Sequence, residues 1–486
     1  MKRNNLLKNS LYNVIYNLLN TFFPMVSTAY VAHVLMASGT GKVASAQNIA
    51  RYFVLVAALG IPNYGIKEIA KIYEDRKKTQ DLFSELFIIN AISTLLCVIG
   101  YYSMIEHVLF FRKEIALYRI VGIGIMLNFI NVDWFFQGNE EYKYIAERSF
   151  LVKSLSLIAI FIFVRDKSDY NIYAFITVLA TGGNYFFNII HLLKRKIYIN
   201  FRKINIKRHI KIVAVLLCTS IAIELYTMVD TTMLTLWCSD ENVGYYTSAI
   251  RIVKIIISLI TSICGVLLPR LSYYKKTDQL KKCDDIVNKM FKILIFLLSP
   301  CGMGLIMVST DLIPLFFGTS FTPAIKTISI ASLLIYTLGF SNLFGTQVLL
   351  TFDGEKKLFI CTLIGAVTNI ALNLCMIPII AENGAALASV ISEGIVTLAT
   401  FLFSKKYIHY DIEFKDIGVP AVSTIIMIVI IALIKYVMRT GIIRMIVMVS
   451  VGGVVYLCFN IVLSNGILNE VINEVKQKIQ GNNNNS

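Results

Sequence analysis

The chain has 486 residues, of which 56% are hydrophobic, and its mean hydropathy is +0.68. Its formal net charge at pH 7 is +16, from 46 Lys and Arg against 30 Asp and Glu. So much apolar sequence excludes an ordinary soluble globular protein, and with it the nucleic-acid partner that a basic soluble chain would suggest.

Long apolar stretches follow one another along almost the whole chain. A helix rises about 1.5 Å per residue, so roughly 20 apolar residues cross about 30 Å of hydrocarbon. We therefore predict an all-α polytopic membrane protein with about 14 transmembrane helices. In chain order the predicted spans lie near residues 10–36, 44–63, 82–104, 115–137, 143–164, 170–193, 209–236, 243–268, 286–309, 324–351, 357–378, 384–403, 417–438 and 441–463.

Basic residues are concentrated in one set of the loops between these spans. The clearest of these loops are 67–78, 194–211, 270–292 and 405–415. In membrane proteins the cytoplasmic loops carry the excess of Lys and Arg. The pattern predicts that both chain termini face the cytoplasm, as an even number of spans requires.

The two halves of the sequence contain matching segments in the same order. Residues 25–28 match 228–231, Arg51 matches Arg251, and residues 77–82 match 275–280. Six spans in each repeat give parallel repeats, which suit two lobes that rock about a central cavity. The predicted domains are an N-terminal lobe (1–205), a C-terminal lobe (206–410), two extra helices (411–465) and a cytoplasmic tail (466–486).

Of the basic residues inside predicted spans, we single out Arg51, Lys153, Arg251 and Lys254. A charged side chain at the bilayer centre costs roughly 2.5–3.5 kcal/mol. One interpretation is that ion pairs hold the lobes together, and another is that Arg51 and Lys254 reach the membrane surface. The functional interpretation is a solvated cavity in which guanidinium groups bind anionic substrate groups with paired hydrogen bonds.

Acidic and aromatic side chains accompany these cations. Asp133, Glu224 and Asp230 are expected to balance the positive charge or to bind a coupling ion. Trp134 would stack on a sugar ring, although packing in the protein interior is the more common role of such a side chain.

Polar residues also recur at helical spacing inside the first, sixth and eighth spans. Asn20 belongs to such a stripe in the first span. The stripe in the sixth span contains Thr177, Thr181, Asn184 and Asn188. Steps of three and four residues place each set on one helix face, where it either lines a cavity or bonds one helix to another.

The nine cysteines are scattered, and most lie in apolar segments. They show no CxxC or Cys/His spacing, and no Walker A motif is present, so we expect no metal, no bound cofactor and no direct use of ATP.

Two segments resemble motifs of a known family. Residues 133–142, DWFFQGNEEY, resemble the D-W-x-F-Q-G-x-E segment of Wzx-type polysaccharide repeat-unit flippases. Residues 59–70, LGIPNYGIKEIA, resemble the family's L-G-x-P-x-x-G-x-R-E-I-A turn, with Lys67 in place of arginine. The family belongs to the multidrug/oligosaccharidyl-lipid/polysaccharide exporter (MOP) superfamily.

The resemblance implies a V-shaped fold of two lobes. It also implies that an undecaprenyl-pyrophosphate-linked oligosaccharide is moved to the outer leaflet of the bacterial cytoplasmic membrane. Membrane lipids are then partners, a polysaccharide polymerase and glycosyltransferases would act beside the flippase, and Na⁺, H⁺ or the membrane potential would drive it. The residues that we expect to bind substrate in a basic lumen are Arg51, Lys153, Arg251, Lys254, Asn20, Trp134 and Gln137.

Three other functions fit parts of the sequence. A lipid II flippase would share the span number and the cationic lumen, whereas an organic cation would be poorly served by Arg and Lys in a drug/cation antiporter. A membrane polysaccharide polymerase needs a sizeable outer loop with catalytic carboxylates or arginines. The longest predicted outer loop, 310–326, carries only Asp311 and Lys326 as charged residues. We therefore expect a transporter rather than an enzyme.

Overall fold

The computed structural model of the chain describes residues 3–72, 74–200, 204–265, 267–464 and 466. Within these ranges the side chains at 3–11, 13–15, 17–22, 219, 222–223 and 225–226 are not described. All regular secondary structure in the described ranges is helical, so the predicted all-α fold is confirmed.

The α-helices, in chain order, are α1 (Arg3–Ala58), α2 (Ile61–Ile72), α3 (Arg76–His107), α4 (Ile115–Met126), α5 (Asp133–Gly138), α6 (Tyr142–Phe163), α7 (Tyr170–Lys194), α8 (Lys207–Trp237), α9 (Asp240–Cys264), α10 (Leu267–Lys276), α11 (Leu280–Phe317), α12 (Ala324–Ala331), α13 (Leu334–Ser341), α14 (Glu355–Ser404), α15 (Phe414–Val437) and α16 (Ile442–Val462). Short 3-10 helices lie at Leu109–Glu114, Leu127–Ile130 and Thr319–Phe321, and a π-helix spans Asn342–Leu349.

Ten helical stretches in the described part of the chain are long and apolar enough to cross a membrane. Two of these stretches, Phe23–Ile72 and Glu355–Ser404, contain 50 residues each, enough for two crossings of roughly 20 residues. The backbone of α1 breaks at Met36 (φ 57°, ψ −174°), and that of α14 breaks at Ile380 and Ala381. Both breaks fall at junctions that the sequence predicts between consecutive spans. The total of 14 spans stays a prediction.

Large apolar side chains lie exposed on the helices. On α3, for example, Leu95, Leu96 and Ile99 are 60%, 65% and 59% exposed. A bilayer suits such a surface, because the acyl chains cover the side chains while each helix bonds its own backbone groups. The chain is therefore a multi-span membrane protein.

The chain consists of two compact units, Met1–Gly244 and Tyr245–Ser486. The helix α8 packs on α1 and α2 within the first unit. The first residue of α9 also approaches α1 closely, because a Cβ on Gly41 would lie 1.7 Å from the carbonyl oxygen of Asp240. The lobe boundary at 205/206 stays a prediction.

A hydrophobic core joins α2, α3 and α5 in the first unit. Trp134 is 2% exposed, and its ring stacks on Phe83 with the ring centroids 5.9 Å apart. Gly65 on α2 faces the indole, and a Cβ at this position would lie 2.3 Å from it. Protein interiors are close-packed, so a larger residue at 65 must displace Trp134.

The segment between α7 and α8 follows one face of α3, and we call residues 195–205 the α3 strap. Residues 201–203 of the strap lie outside the described residues. Positions 76, 80 and 84 share a helix face because they are four residues apart. The bonds from this face to the strap are Arg76 to the carbonyl of Arg195 (3.0 Å), Gln80 to the carbonyl of Tyr198 (3.0 Å) and the N–H of Asn200 to Ser84 (2.8 Å).

Glu85 anchors the end of the α3 strap. Its carboxylate accepts the N–H of Asn205 at 2.8 Å, pairs with Nε2 of His209 at 2.9 Å, and forms an ion pair with Arg208. The other ring nitrogen of His209 lies 2.8 Å from the hydroxyl of Tyr64 on α2. Glu85 is 2% exposed and His209 is 3% exposed, so this buried polar cluster fixes the start of α8 to α2 and α3.

In the second unit, α12, α13, α15 and α16 pack against α11. A hydrophobic cluster joins α15 and α16 to α11, and its buried members are Val308, Met427, Ile431, Met448 and Tyr456.

A buried ion pair also fastens α16 to α11. Arg444 Nη2 lies 2.7 Å and 2.8 Å from the two carboxylate oxygens of Asp311, and Arg444 Nε lies 3.0 Å from Oδ1. The prediction that Asp311 lies in an outer loop is wrong, because α11 continues to Phe317 and Asp311 is 2% exposed. The apolar residues that follow Asp311 continue the helix, and Arg444 compensates the buried charge.

Candidate functional site

Three polar side chains from three helices meet inside the first unit. Asp133 begins α5, Arg148 lies on α6 and Asn188 lies on α7. Arg148 Nη1 is 2.9 Å from Asp133 Oδ1, and Asn188 Nδ2 donates to the same oxygen at 2.5 Å. The side-chain oxygen of Asn188 accepts a hydrogen bond from Arg148. The side chain of Arg148 is buried at 3% exposed, whereas that of Asp133 is 21% exposed.

A cavity of about 200 Å³ adjoins the Asp133–Arg148 pair, and we call it the α6–α7 pocket. The helix α6 contributes Arg148 and Lys153 to its wall, and α7 contributes Thr181 and Asn184. Thr181 on the pocket wall is exposed. The predicted polar face of the sixth span therefore lines a cavity and, through Asn188, also bonds one helix to another.

Arg51 on α1 forms an ion pair with Glu224 on α8. Arg51 Nη2 lies 2.7 Å from Glu224 Oε2, and the two side chains are 60% and 31% exposed. The backbone carbonyl of Glu224 accepts a bond from Thr227 Oγ1 at 3.0 Å. The structure therefore brings together two residues that the sequence nominates separately, and more than half of the Arg51 side chain stays exposed.

The other residues nominated from the sequence differ in their position and burial. Trp134 packs on protein side chains in the core, which is the alternative that the sequence leaves open. Gln137 lies on α5 and is half-buried, and Asp230 is buried on α8. Arg251 and Lys254 lie one turn apart on α9, and both are exposed. Asn20 lies on α1, but its side chain is outside the part of the chain that the structure describes.

Sequence reasoning misses Arg148, Glu85 and Arg444. All three lie inside predicted spans, are buried and form ion pairs. The available signal is the same in each case, a charged residue in an apolar run. In the fifth span, Arg148 lies five positions before Lys153, and both residues line the α6–α7 pocket. The presence of two cations in one predicted span is therefore the sequence signal for this pocket.

Two further features bear on ligands. Among the described residues, no group of three or more His, Cys, Asp or Glu side chains is placed to hold a metal ion. The second unit contains an apolar cavity of about 510 Å³. Its wall consists mainly of Phe, Leu and Ile side chains from α11, α13, the π-helix, α14 and α15, including Phe291, Phe340, Phe344 and Phe401.

Two family models match the chain. The family described as polysaccharide biosynthesis protein matches residues 6–275, and the family described as lipid II flippase MurJ matches residues 141–457. Each match covers more than half of the 486 residues.

Curated relatives carry the names of transporters and flippases. An Escherichia coli (strain K12) protein named "Putative O-antigen transporter" is 22% identical over 403 residues, which is 82% of this chain and 96% of that protein. "Probable flippase AglR" of Haloferax volcanii is 28% identical over 183 residues, which is 36% of this chain and 37% of that protein.

Solved structures of two transporters share the fold. The lipid II flippase MurJ in an inward closed conformation has a TM-score of 0.75 and 19% identity, covering 92% of this chain and 98% of that one. An inward-facing multidrug resistance MATE transporter of the MOP superfamily has a TM-score of 0.65 and 15% identity, covering 79% and 94%. At these identities the likeness concerns the fold alone. The names of the relatives agree with the expected transporter rather than an enzyme. The family matches show that the chain belongs to the families described as polysaccharide biosynthesis protein and lipid II flippase MurJ.

Proposed function

We propose that the chain moves an undecaprenyl-pyrophosphate-linked oligosaccharide repeat unit from the cytoplasmic to the outer leaflet of the bacterial cytoplasmic membrane by alternating access. The saccharide is polar and the pyrophosphate is charged, so neither crosses hydrocarbon unaided. The family matches and the name of the Escherichia coli relative support this substrate class. Both termini would lie in the cytoplasm, beside the glycosyltransferases that build the repeat unit, and a polymerase would take the exported product.

The observation that carries the proposal is the accessible guanidinium of Arg51. Arg51 lies seven residues before the end of α1 at Ala58, about 10 Å along the helix axis. Its helix is part of a stretch apolar enough to cross a membrane, yet its side chain is 60% exposed. A charge at membrane depth is expensive unless polar groups or water surround it. Glu224 supplies one polar partner, and the accessible part of the guanidinium suits a phosphate group.

The remaining nominated residues would act with Arg51. Lys153, Arg251 and Lys254 would meet anionic groups, and Asp133 and Asp230 would balance charge or bind a coupling ion. The membrane potential alone favours the outward movement of negative charge, by about 2.3 kcal/mol per charge per 100 mV. Na⁺ or H⁺ exchange would add to this driving force.

Arg51→Ala tests the proposal, with Arg119→Ala as a matched control. Arg119 pairs with Glu106 at the same distance, 2.7 Å, and the two side chains are 56% and 43% exposed. We expect Arg51→Ala to stop surface polysaccharide in the strain that encodes the chain and to leave repeat units on the cytoplasmic leaflet. Arg119→Ala should export normally at the same protein level. Normal export by Arg51→Ala would contradict the proposal.

A second candidate, translocation of lipid II, is favoured by the MurJ family match over residues 141–457. A strain from which the gene has been deleted separates the two candidates. Accumulation of lipid-linked repeat units with normal lipid II turnover supports the first, whereas accumulation of lipid II supports the second.

A further inference from the structure

The apolar cavity of about 510 Å³ in the second unit, which we call the second-unit cavity, has a wall made mainly of hydrocarbon. Two of the hydroxyl groups on this wall are bonded within the protein. That of Tyr336 donates to the carbonyl of Ser299 at 3.0 Å, and that of Thr397 donates to the carbonyl of Glu393 at 2.7 Å. A polar ligand would lose its bonds to water here without replacing them, so the wall favours a hydrocarbon ligand.

Aromatic rings form a continuous part of this wall. Phe344 lies against three other rings, with centroid distances of 6.1 Å to Phe291, 6.0 Å to Phe340 and 5.0 Å to Phe401. Atoms that line a void lack the dispersion contacts that close packing would give them. A hydrocarbon chain in the second-unit cavity would supply these contacts.

The second-unit cavity follows the helices from the end of two of them inward. Its wall on α11 runs from Phe291 to Ser299, a rise of about 12 Å along the helix, and one leaflet of a bilayer contains about 15 Å of hydrocarbon. Phe401 on the wall lies three residues before the end of α14, and Ile417 lies three residues after the start of α15. Both helices belong to stretches apolar enough to cross a membrane, so this end of the cavity lies at the depth of lipid head groups.

A cation is located at that end. Lys405 is exposed, and its Nζ lies 4.6 Å from the centroid of the Phe401 ring. The carboxylate of Asp416, at the start of α15, is already in use, because it pairs with Lys292 at 3.1 Å and accepts the N–H of Glu413 at 3.0 Å. A phosphate group at this end would therefore meet the ammonium group of Lys405.

We propose that the second-unit cavity binds one acyl chain of a bilayer phospholipid and that Lys405 contacts the phosphate of this lipid. The acyl chain of a phospholipid fills one leaflet, which agrees with the length and position of the cavity. The tail of an undecaprenyl carrier is much longer than one leaflet, so most of it would lie outside. A phospholipid bound here would contact α11, α13, α14 and α15 at once and would stabilise the second unit.

One face of α14 offers a way to block the cavity. Its wall residues follow one another in steps of three, one and three, so they share a helix face; they are Gly394, Thr397, Leu398 and Phe401. A Cβ at Gly394 would have no heavy atom within 4 Å, so Gly394→Leu places a side chain in open space on this face. Gly453→Leu is the matched control, because Gly453 on α16 also has open space around its Cβ but is not on the cavity wall.

The test is photolabelling of the full-length protein in nanodiscs of phosphatidylglycerol, a small fraction of which carries a diazirine on its acyl chain. Peptide mass spectrometry measures the label on Phe340 and Phe344 relative to Leu96 on α3, which is 65% exposed and reports on bulk lipid. We expect Gly394→Leu to lower this ratio roughly tenfold, which corresponds to about 1.4 kcal/mol of binding free energy. Gly453→Leu should leave the ratio unchanged.

Lys405→Gln tests the phosphate contact and remains informative if Gly394→Leu does not fold. Lys406→Gln is its control, since Lys406 is the next residue and is also exposed. We expect Lys405→Gln to lower the ratio roughly threefold, because an exposed ionic contact contributes little. Lys406→Gln should match the unmodified protein.

Four results would overturn the proposal. Absence of label on Phe340 and Phe344, or equal ratios in Gly394→Leu and Gly453→Leu, would show that no acyl chain occupies the cavity. Equal ratios in Lys405→Gln and Lys406→Gln would remove the phosphate contact. Loss of the label when a small amount of undecaprenyl phosphate is added would assign the cavity to the carrier instead of a phospholipid.

Discussion

Both units contain a buried aspartate–arginine pair, and the two pairs differ in what they leave unsatisfied. In the second unit Asp311 and Arg444 are 0% and 9% exposed in their side chains. Arg444 uses Nε and Nη2 on the carboxylate, and its Nη1 donates to the carbonyls of Met438 at 3.0 Å and Lys435 at 3.3 Å. Every nitrogen of this guanidinium has a partner.

In the first unit the Asp133–Arg148 pair is incomplete. Arg148 Nε has no partner among the described residues, Asp133 is 21% exposed, and a cavity lies beside them. The comparison shows that the same two residue types are bonded to different extents. The Asp311–Arg444 pair is fully bonded and fastens α16 to α11, whereas the Asp133–Arg148 pair leaves one guanidinium nitrogen without a hydrogen bond among the described residues.

The largest effect is expected at Arg444. Arg444→Met leaves Asp311 as a buried charge without compensation, so the free energy of unfolding should fall by about 3–5 kcal/mol. The double variant Asp311→Leu/Arg444→Met should recover most of this loss and retain transport, because apolar residues often replace buried ion pairs without cost. Thermal unfolding of the purified protein measures the stability of both variants. A double variant as unstable as the single one would show that the pair does more than fasten α16.

A smaller loss is expected at Arg148. Arg148→Met should lower the free energy of unfolding by about 1.5–3 kcal/mol, because Asp133 is partly exposed and keeps its bond from Asn188. The double variant Asp133→Asn/Arg148→Met should regain stability but not polysaccharide export. Export restored to the wild-type level in this double variant would remove the distinction between the two pairs.

Gly65→Ala tests how much the close packing at Trp134, next to the Asp133–Arg148 pair, contributes to the free energy of unfolding. The added methyl group would lie 2.3 Å from Trp134, the residue after Asp133, so we expect a loss of about 1–3 kcal/mol in the free energy of unfolding. The control is Gly124→Ala, where the nearest atom, on Val178, is 3.9 Å away. The control should be neutral or slightly more stable. Equal thermal stability of the two variants would argue against tight packing at Trp134.

The smallest effects are expected at the exposed pairs. Glu224→Gln and Glu106→Gln should each change the free energy of unfolding by less than about 1 kcal/mol, because exposed ion pairs contribute little. Only Glu224→Gln should alter export, since it removes the anion that competes with substrate for Arg51. A destabilisation above about 2 kcal/mol at Glu224 would assign the Arg51 pair to structure instead.

Much of the fold follows from the sequence because of one constraint. Backbone groups in lipid must be bonded within a helix, so apolar runs of sufficient length indicate where helices lie. The breaks at Met36 and at Ile380 and Ala381 agree with the predicted junctions for this reason. The sequence does not locate the ends of helices as well, and Asp311 is the example, because its burial depends on a partner 133 residues away.

The site is only partly predictable, because side chains that are distant in the sequence come together in it. Asp133, Lys153 and the polar face of α7 are visible in the sequence as polar residues in apolar runs. Which of them pair is decided by the packing of α5, α6 and α7, and no periodicity reveals that Arg148 would bind both Asp133 and Asn188. Nor does any sequence pattern distinguish Arg148, whose Nε has no hydrogen-bond partner among the described residues, from Arg444, whose nitrogens all have one.

The α3 strap has a practical consequence for engineering the gene. The junction between the two sequence repeats is polar and lies between helices, and such segments are commonly chosen for cutting a chain or inserting a reporter. Its backbone, however, is bonded to Arg76, Gln80, Ser84 and Glu85 along α3. An insertion at 195–200 would disrupt the bonds to Arg76, Gln80 and Ser84. Halves expressed as separate polypeptides would have to form all of these bonds without a covalent link.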